Sequence, residues 1–189
     1  TSSSKNITMK KLLILLFSIL ISLNSYGKEL DSLFGITLYD NAEKYVSSDY
    51  IDSNKFKHDE TIDGYFTLVI TDEIKTKSPY ASWYEIDIDN DNKVHRIYGD
   101  SEFINLDICK AVQKDLISKF EEKYTMNFEY FEESYPGFKI YSHYQFVDLD
   151  NSIRVQCRES YNDSATLLQI LLTTDVLREA VDEFYASGL

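Results

Sequence analysis

The sequence predicts an α+β fold: an antiparallel sheet of about five to seven strands with two or three helices packed mainly on one face. Three observations lead there. Apolar and polar residues alternate along Tyr84–Asp89 and again between Met126 and Ser160, the period of a half-buried strand. Ile108, Val112, Leu116, Phe120 and Tyr124 recur at every fourth position, the period of an amphipathic helix. Chain-reversing residues, Asn90-Asp91-Asn92, Pro136-Gly137 and Asp150-Asn151, fall between the alternating runs and join neighbours in sequence into hairpins.

The first element is not part of the fold. Lys10 and Lys11 follow Met9, then Leu12–Leu23 runs uncharged and almost wholly apolar, and a polar stretch ends in Ser25-Tyr26-Gly27. This is the three-part pattern of a secretory signal peptide, cut after Gly27 where Ser25 and Gly27 supply the small side chains that the peptidase needs. The apolar run is shorter than the about 20 residues that span a bilayer, so no membrane span is expected after cleavage. Residues 1–8 precede the expected initiator Met9 and are read as non-native. The domain is then Lys28–Leu189, a single unit without a Pro- or Gly-rich linker and long enough to bury a core.

Within it, Phe34–Leu38 reads as a short strand, followed by a helix capped by Asp40 with Glu43 closing a capping box and with Ala42, Tyr45 and Val46 facing inward. Gly64–Asp72 is a strand by its aromatic and β-branched content. Along the next strand Tyr84, Ile86 and Ile88 face the core and Glu85, Asp87 and Asp89 the solvent. Asn105 caps the long helix, and Asp107 complements the positive end of its dipole. Three strands follow, and in the last of them Ile153, Val155 and Cys157 share one face while Arg154, Gln156 and Arg158 share the other. The nearly continuous apolar run Ser164–Thr174 marks a central strand. From Thr174 a final helix turns Val176, Leu177, Ala180, Val181 and Phe184 inward.

Cys109, on or beside the buried stripe of the long helix, and Cys157, on the inner face of its strand, are placed to meet. An exported chain matures where a disulfide is stable, so Cys109–Cys157 is the expected bridge. It would stabilise the fold by up to about 4 kcal/mol on the chain-entropy model.

Composition limits the function. The chain has 32 acidic residues against 19 basic ones, a formal charge of −13, and loss of the leader removes Lys5, Lys10 and Lys11 but no acid. Such a balance disfavours nucleic acid and anionic lipid, both of which are gripped by clustered Lys and Arg. It leaves a cationic partner, a cation or plain solubility.

Motifs are few. Asp87, Asp89 and Asp91 have the spacing of the first calcium ligands of an EF-hand loop, but Asn92 stands where that loop needs glycine and Tyr98 where it needs glutamate. Asn90, Asp91 and Asn92 suit a hairpin turn, with a loose, low-affinity cation site through Asp87, Asp89 and Asp91 as the alternative. His58, His95 and His143 lack the spacing of a zinc site. No G-x-S-x-G elbow or phosphate-binding glycine loop is present, and nothing in the sequence implies a cofactor.

The segment Tyr124–Phe146 is rich in aromatic residues. Tyr130, Tyr135 and Tyr141, with Glu129, Glu132 and Glu133 near them, are the candidate partner-binding residues, with Tyr141 and His143 facing outward if Phe138, Ile140, Tyr144 and Phe146 face in. These features point to a periplasmic or secreted, non-enzymatic binding module, an accessory or inhibitor protein for a protein or peptide partner. A hydrolase using paired carboxylates and a low-affinity calcium-binding protein are the alternatives.

Overall fold

The computed structural model describes residues 30–57, 62–70, 78–147, 150–162 and 166–186. The leader, its cleavage site at Gly27 and His58 lie outside the described residues. The fold is α+β, and its centre is an eight-stranded, wholly antiparallel sheet. Strands β3 (Phe56–Lys57), β4 (Tyr65–Val69), β5 (Trp83–Asp89) and β6 (Val94–Phe103) form one meander. Helix α2 (Leu106–Tyr124) then carries the chain to the far edge, where β7 (Glu129–Tyr135), β8 (Phe138–Phe146), β9 (Asn151–Ser160) and β10 (Thr166–Thr174) form a second meander back to the middle. The spatial order is β3-β4-β5-β6-β10-β9-β8-β7, so apolar β10 is central, as its composition implies. Helix α3 (Asp175–Ala186) follows at once. Seven of the eight strands are five residues or longer, and β3, with two, forms one edge.

Residues directly opposite one another in such a sheet point to the same face, so the register sorts the side chains. Ile86, Ile97, Leu172 and Ile153 form one transverse row, and Tyr84, Gly99, Ile170 and Val155 the next. These rows carry the main core. Cys109, Leu116, Ile117 and Phe120 of α2 cover one part of it, and Leu30, Leu33, Ile36, Leu38, Ala42 and Val46 of the N-terminal segment another. Cys109 is bonded to Cys157, and Gln113, one turn later, donates through Nε2 to the carbonyls of Tyr141 (2.8 Å) and Val155 (2.9 Å) on adjacent strands. Among the described residues no helix is long and apolar enough to cross a membrane.

Three local expectations are corrected. The segment Phe34–Leu38 is not a continuous strand: β1 (Ser32–Leu33) and β2 (Ile36–Thr37) form a hairpin about Phe34 and Gly35, whose φ values of 55° and 81° are those of a primed turn. The Phe34 ring, 5.0 Å from that of Tyr84, occupies space that only glycine at position 99 leaves open, because a Cβ there would lie 2.5 Å from it. Asp40 does not cap an α-helix. Asn41 accepts from the Glu43 N–H (2.8 Å) and starts one 3-10 turn, Ala42–Lys44, while Asp40 binds Lys44 and the Tyr45 hydroxyl, which hold its carboxyl below the usual range. Ala42 and Val46 do face inward. A helix the sequence did not suggest, α1 (Ser48–Asn54), follows, capped by Ser47; with Ile51 as its buried residue, it has no periodicity to read.

Helices α1 and α2 belong to the core side, but α3 lies against the second face of the sheet. Its Leu177 is buried there, whereas Val176, expected inside, is exposed.

Candidate functional site

The second face is built from the alternate positions of the same strands, and its middle row is polar. Trp83, Asp100, Gln169, Gln156, Ser142 and Phe131 stand opposite one another across six strands. Ser142 donates its hydroxyl to Gln156 Oε1 (3.2 Å), Gln156 Nε2 donates to Gln169 Oε1 (2.7 Å), and Gln169 Nε2 donates to the Tyr98 hydroxyl (2.7 Å). Tyr98 in turn donates to Asp100 Oδ2 (2.7 Å). Every donor points toward Asp100, so each bond polarises the next. Burial raises the Asp100 carboxyl above its ordinary value and, with the bond to Asp100, raises the Tyr98 phenol too.

The chain's arginines, Arg96, Arg154, Arg158 and Arg178, all stand on or over this face. Arg96 Nε lies 2.7 Å from Oδ2 of Asp87, a fully buried carboxylate that also accepts from the Thr67 hydroxyl (2.7 Å). Arg178 of α3 binds Asp175 (3.0 Å) and Asp182 (3.5 Å), with its guanidinium 5.2 Å from the Phe146 ring centre. The other two are held by rings instead. Arg154 lies 5.7 Å from the ring centre of Phe131 and 5.6 Å from that of Tyr144, and Arg158 lies 4.2 Å from that of Phe138. Among the described residues neither has a carboxylate within 4.0 Å.

Between α3 and these strands lies a cavity of about 370 Å³. Arg96, Arg154 and Arg178 line it together with Glu133, Asp182, Tyr135 and Tyr144, and Leu171, Leu177 and Val181 supply apolar wall. The Glu133 Oε2 atom is buried and has no hydrogen-bond partner among the described residues.

The tyrosines singled out by the sequence are not brought into one patch. Tyr141 does not face outward: it is 8% exposed and lies across from Cys157 on the helix-covered face, with the Lys110 ammonium 3.5 Å from its ring centre. The expected facing of β8 is therefore inverted, and Phe138, Ile140, Tyr144 and Phe146 take the second face. His143 shares the helix side, where burial lowers its pKa. Tyr130 and Tyr135 are 50% and 43% exposed, but an odd spacing along β7 sends them to opposite faces. Tyr135 stacks on Phe138 (4.9 Å) and reaches the cavity, while Tyr130 meets His143 (5.1 Å).

The acidic turn is also divided. Asp87, expected to be solvated, is buried on the second face. Asp89 accepts from the backbone N–H of Asp91 (2.8 Å) and Lys93 (2.9 Å) and lies 3.1 Å from His95 Nε2. Burial opposes its ionisation, but those bonds outweigh it and hold its carboxyl below the usual value. Asn92 has φ 60°, the left-handed backbone of a hairpin turn. Among the described residues no three His, Cys, Asp or Glu side chains converge as a metal site would need.

Sequence reasoning placed Arg154, Gln156 and Arg158 together on one face but gave that face no role. The available signal was the use of arginine at alternate strand positions in a chain whose other cations are lysines. Comparison with protein families, characterised proteins and solved structures finds no match.

Proposed function

We propose that the protein is an exported, non-enzymatic binding module whose second sheet face takes up an anionic group of a protein or peptide partner. The observation that carries this reading is the pair Arg154 and Arg158, held on aromatic rings rather than by carboxylates in a chain with 32 acids. A guanidinium near an aromatic face makes a cation–π contact that uses none of its N–H groups, and a carboxylate can meet those groups with two parallel bonds. Acidic composition alone suggests a cationic partner; the local array favours a single acidic group. A polyanion would suffer from the overall charge of −13. The leader pattern and the internal disulfide support export.

Fluorescence anisotropy with a labelled peptide carrying a single carboxylate tests the reading. The double substitution Arg154→Gln, Arg158→Gln should weaken binding by about tenfold or more, the value of one charge-assisted bond. Equal affinity in the substituted and native proteins, with native circular dichroism in both, would reject it.

A further inference from the structure

We infer that the cavity between α3 and the sheet holds a small zwitterion, of amino-acid to dipeptide size, with its carboxylate on Arg154 and its ammonium on Glu133. The inference rests on the proposed reading of Arg154 as an anion receptor and extends it to the ligand's other end.

The charges in the cavity sort themselves. Arg96 is matched by Asp87, and Arg178 by Asp175 and Asp182. What remains on the lining is, among the described residues, one guanidinium without a carboxylate partner, Arg154, and one carboxylate without a cation partner, Glu133, whose buried Oε2 accepts no bond from any of them. Buried polar atoms are normally satisfied, and an exception on the lining of a concave site marks a place where a ligand atom can bond.

The two do not satisfy each other because the register keeps them apart. Glu133 stands opposite Ile140 on β8, which stands opposite Arg158, whereas Arg154 stands opposite Tyr144; a whole strand and four residues of β9 separate the two positions. A plain anion at Arg154 would leave Glu133 as a like-charged neighbour, and a plain cation would do the same to Arg154. A molecule with both charges matches both. Leu171, Leu177 and Val181 line the space between α3 and the sheet and suit an apolar body, and about 370 Å³ lies at the small end of the range for pockets that enclose small molecules.

Isothermal titration of the full chain with glycyl-leucine, its N-acetyl derivative and its C-terminal amide tests this directly. The free dipeptide should bind, and each blocked form should bind at least tenfold more weakly. In Glu133→Gln the free and acetylated forms should become equivalent, and in Arg154→Gln the free and amidated forms should. Acetylated peptide binding as tightly as free peptide, with loss in Arg154→Gln, would overturn the zwitterion while leaving the anion receptor standing. Failure of all three peptides would overturn the zwitterion, and failure of the labelled single-carboxylate peptide as well would remove the receptor too. The comparison among the three peptides needs no altered protein, so it decides the matter even if a substituted chain does not fold.

Discussion

Reduction of Cys109–Cys157 should lower stability by about 4 kcal/mol without unfolding the protein in the absence of denaturant. The bridge spans 48 residues, and closing a loop of that length removes about 4 kcal/mol of unfolded-chain entropy. The loop contains most of α2 and all of β7 and β8, so the cross-link ties the far meander to the middle of the sheet. Both cysteines are fully buried. The helix keeps other attachments when the bridge opens: Gln113 still donates to two strand carbonyls, and Leu116, Ile117 and Phe120 stay packed on the core. Urea unfolding followed by tryptophan fluorescence, with and without a phosphine reductant present throughout, measures the effect. With a slope of roughly 2 kcal/mol per molar urea, the midpoint should fall by about 2 M. Coincident curves would refute the reasoning, and so would alkylation of both thiols in native protein before any reductant is added. A fall accompanied by loss of far-ultraviolet dichroism at zero urea would instead show that Gln113 and the apolar stripe cannot hold α2 alone.

Two further predictions concern the second face. Asp87→Asn should cost about 3–5 kcal/mol, because it leaves the Arg96 guanidinium beside a buried neutral group; a change below about 1 kcal/mol by thermal or urea unfolding would mean that water already serves the pair. Asp100→Asn should stabilise the protein at pH 7, since burial raises the native carboxyl and its ionised form therefore opposes folding. That opposition is present above the raised folded value and disappears as pH falls toward the unfolded value of 3.8, so the advantage of the substitution should vanish near pH 4. An advantage that grows on acidification would reverse the sign and reject the assignment.

How much was legible in the sequence follows from what periodicity can carry. A period of four located α2, although Ile108 at its start is exposed and the buried line runs through Cys109, Gln113, Leu116, Ile117 and Phe120, which is what sets Cys109 against β9. A period of two located β5, β8 and β9, but it says only that two faces exist. Polarity was used to call the Glu85, Asp87 and Asp89 side of β5 wet, which failed at Asp87, and it gave no warning that polar side chains elsewhere are buried by satisfying one another. Asp87 is buried because Arg96 and Thr67 meet it, and Gln156, Gln169 and Ser142 are buried because they form a chain of bonds. Each depends on partners from other strands, and strand order is a long-range property that no local window contains. The same gap inverted β8, where Tyr141 went under α2 and Phe138 and Tyr144 became the shelf for arginines. The short pieces, the β1–β2 hairpin and α1, were missed for a simpler reason: neither is long enough to show a period.

The acidity of the chain and the proposed ligand are two sides of one electrostatic argument. A formal charge of −13 acts on an approaching molecule through its net charge, and at physiological ionic strength that field fades over about 8 Å. An anion is therefore slowed outside the cavity even if Arg154 would welcome it inside, and a cation is drawn to many carboxylates besides Glu133. A zwitterion has no net charge for the distant field to act on. It responds to separated charges only at contact distance, where on the proposed reading Arg154 and Glu133 would meet it and Arg96 and Arg178 are already paired with Asp87, Asp175 and Asp182. On the proposed reading, the acidic exterior disfavours highly charged anions without weakening a zwitterion, so composition read alone pointed to a cationic partner while the arginines favour a carboxylate.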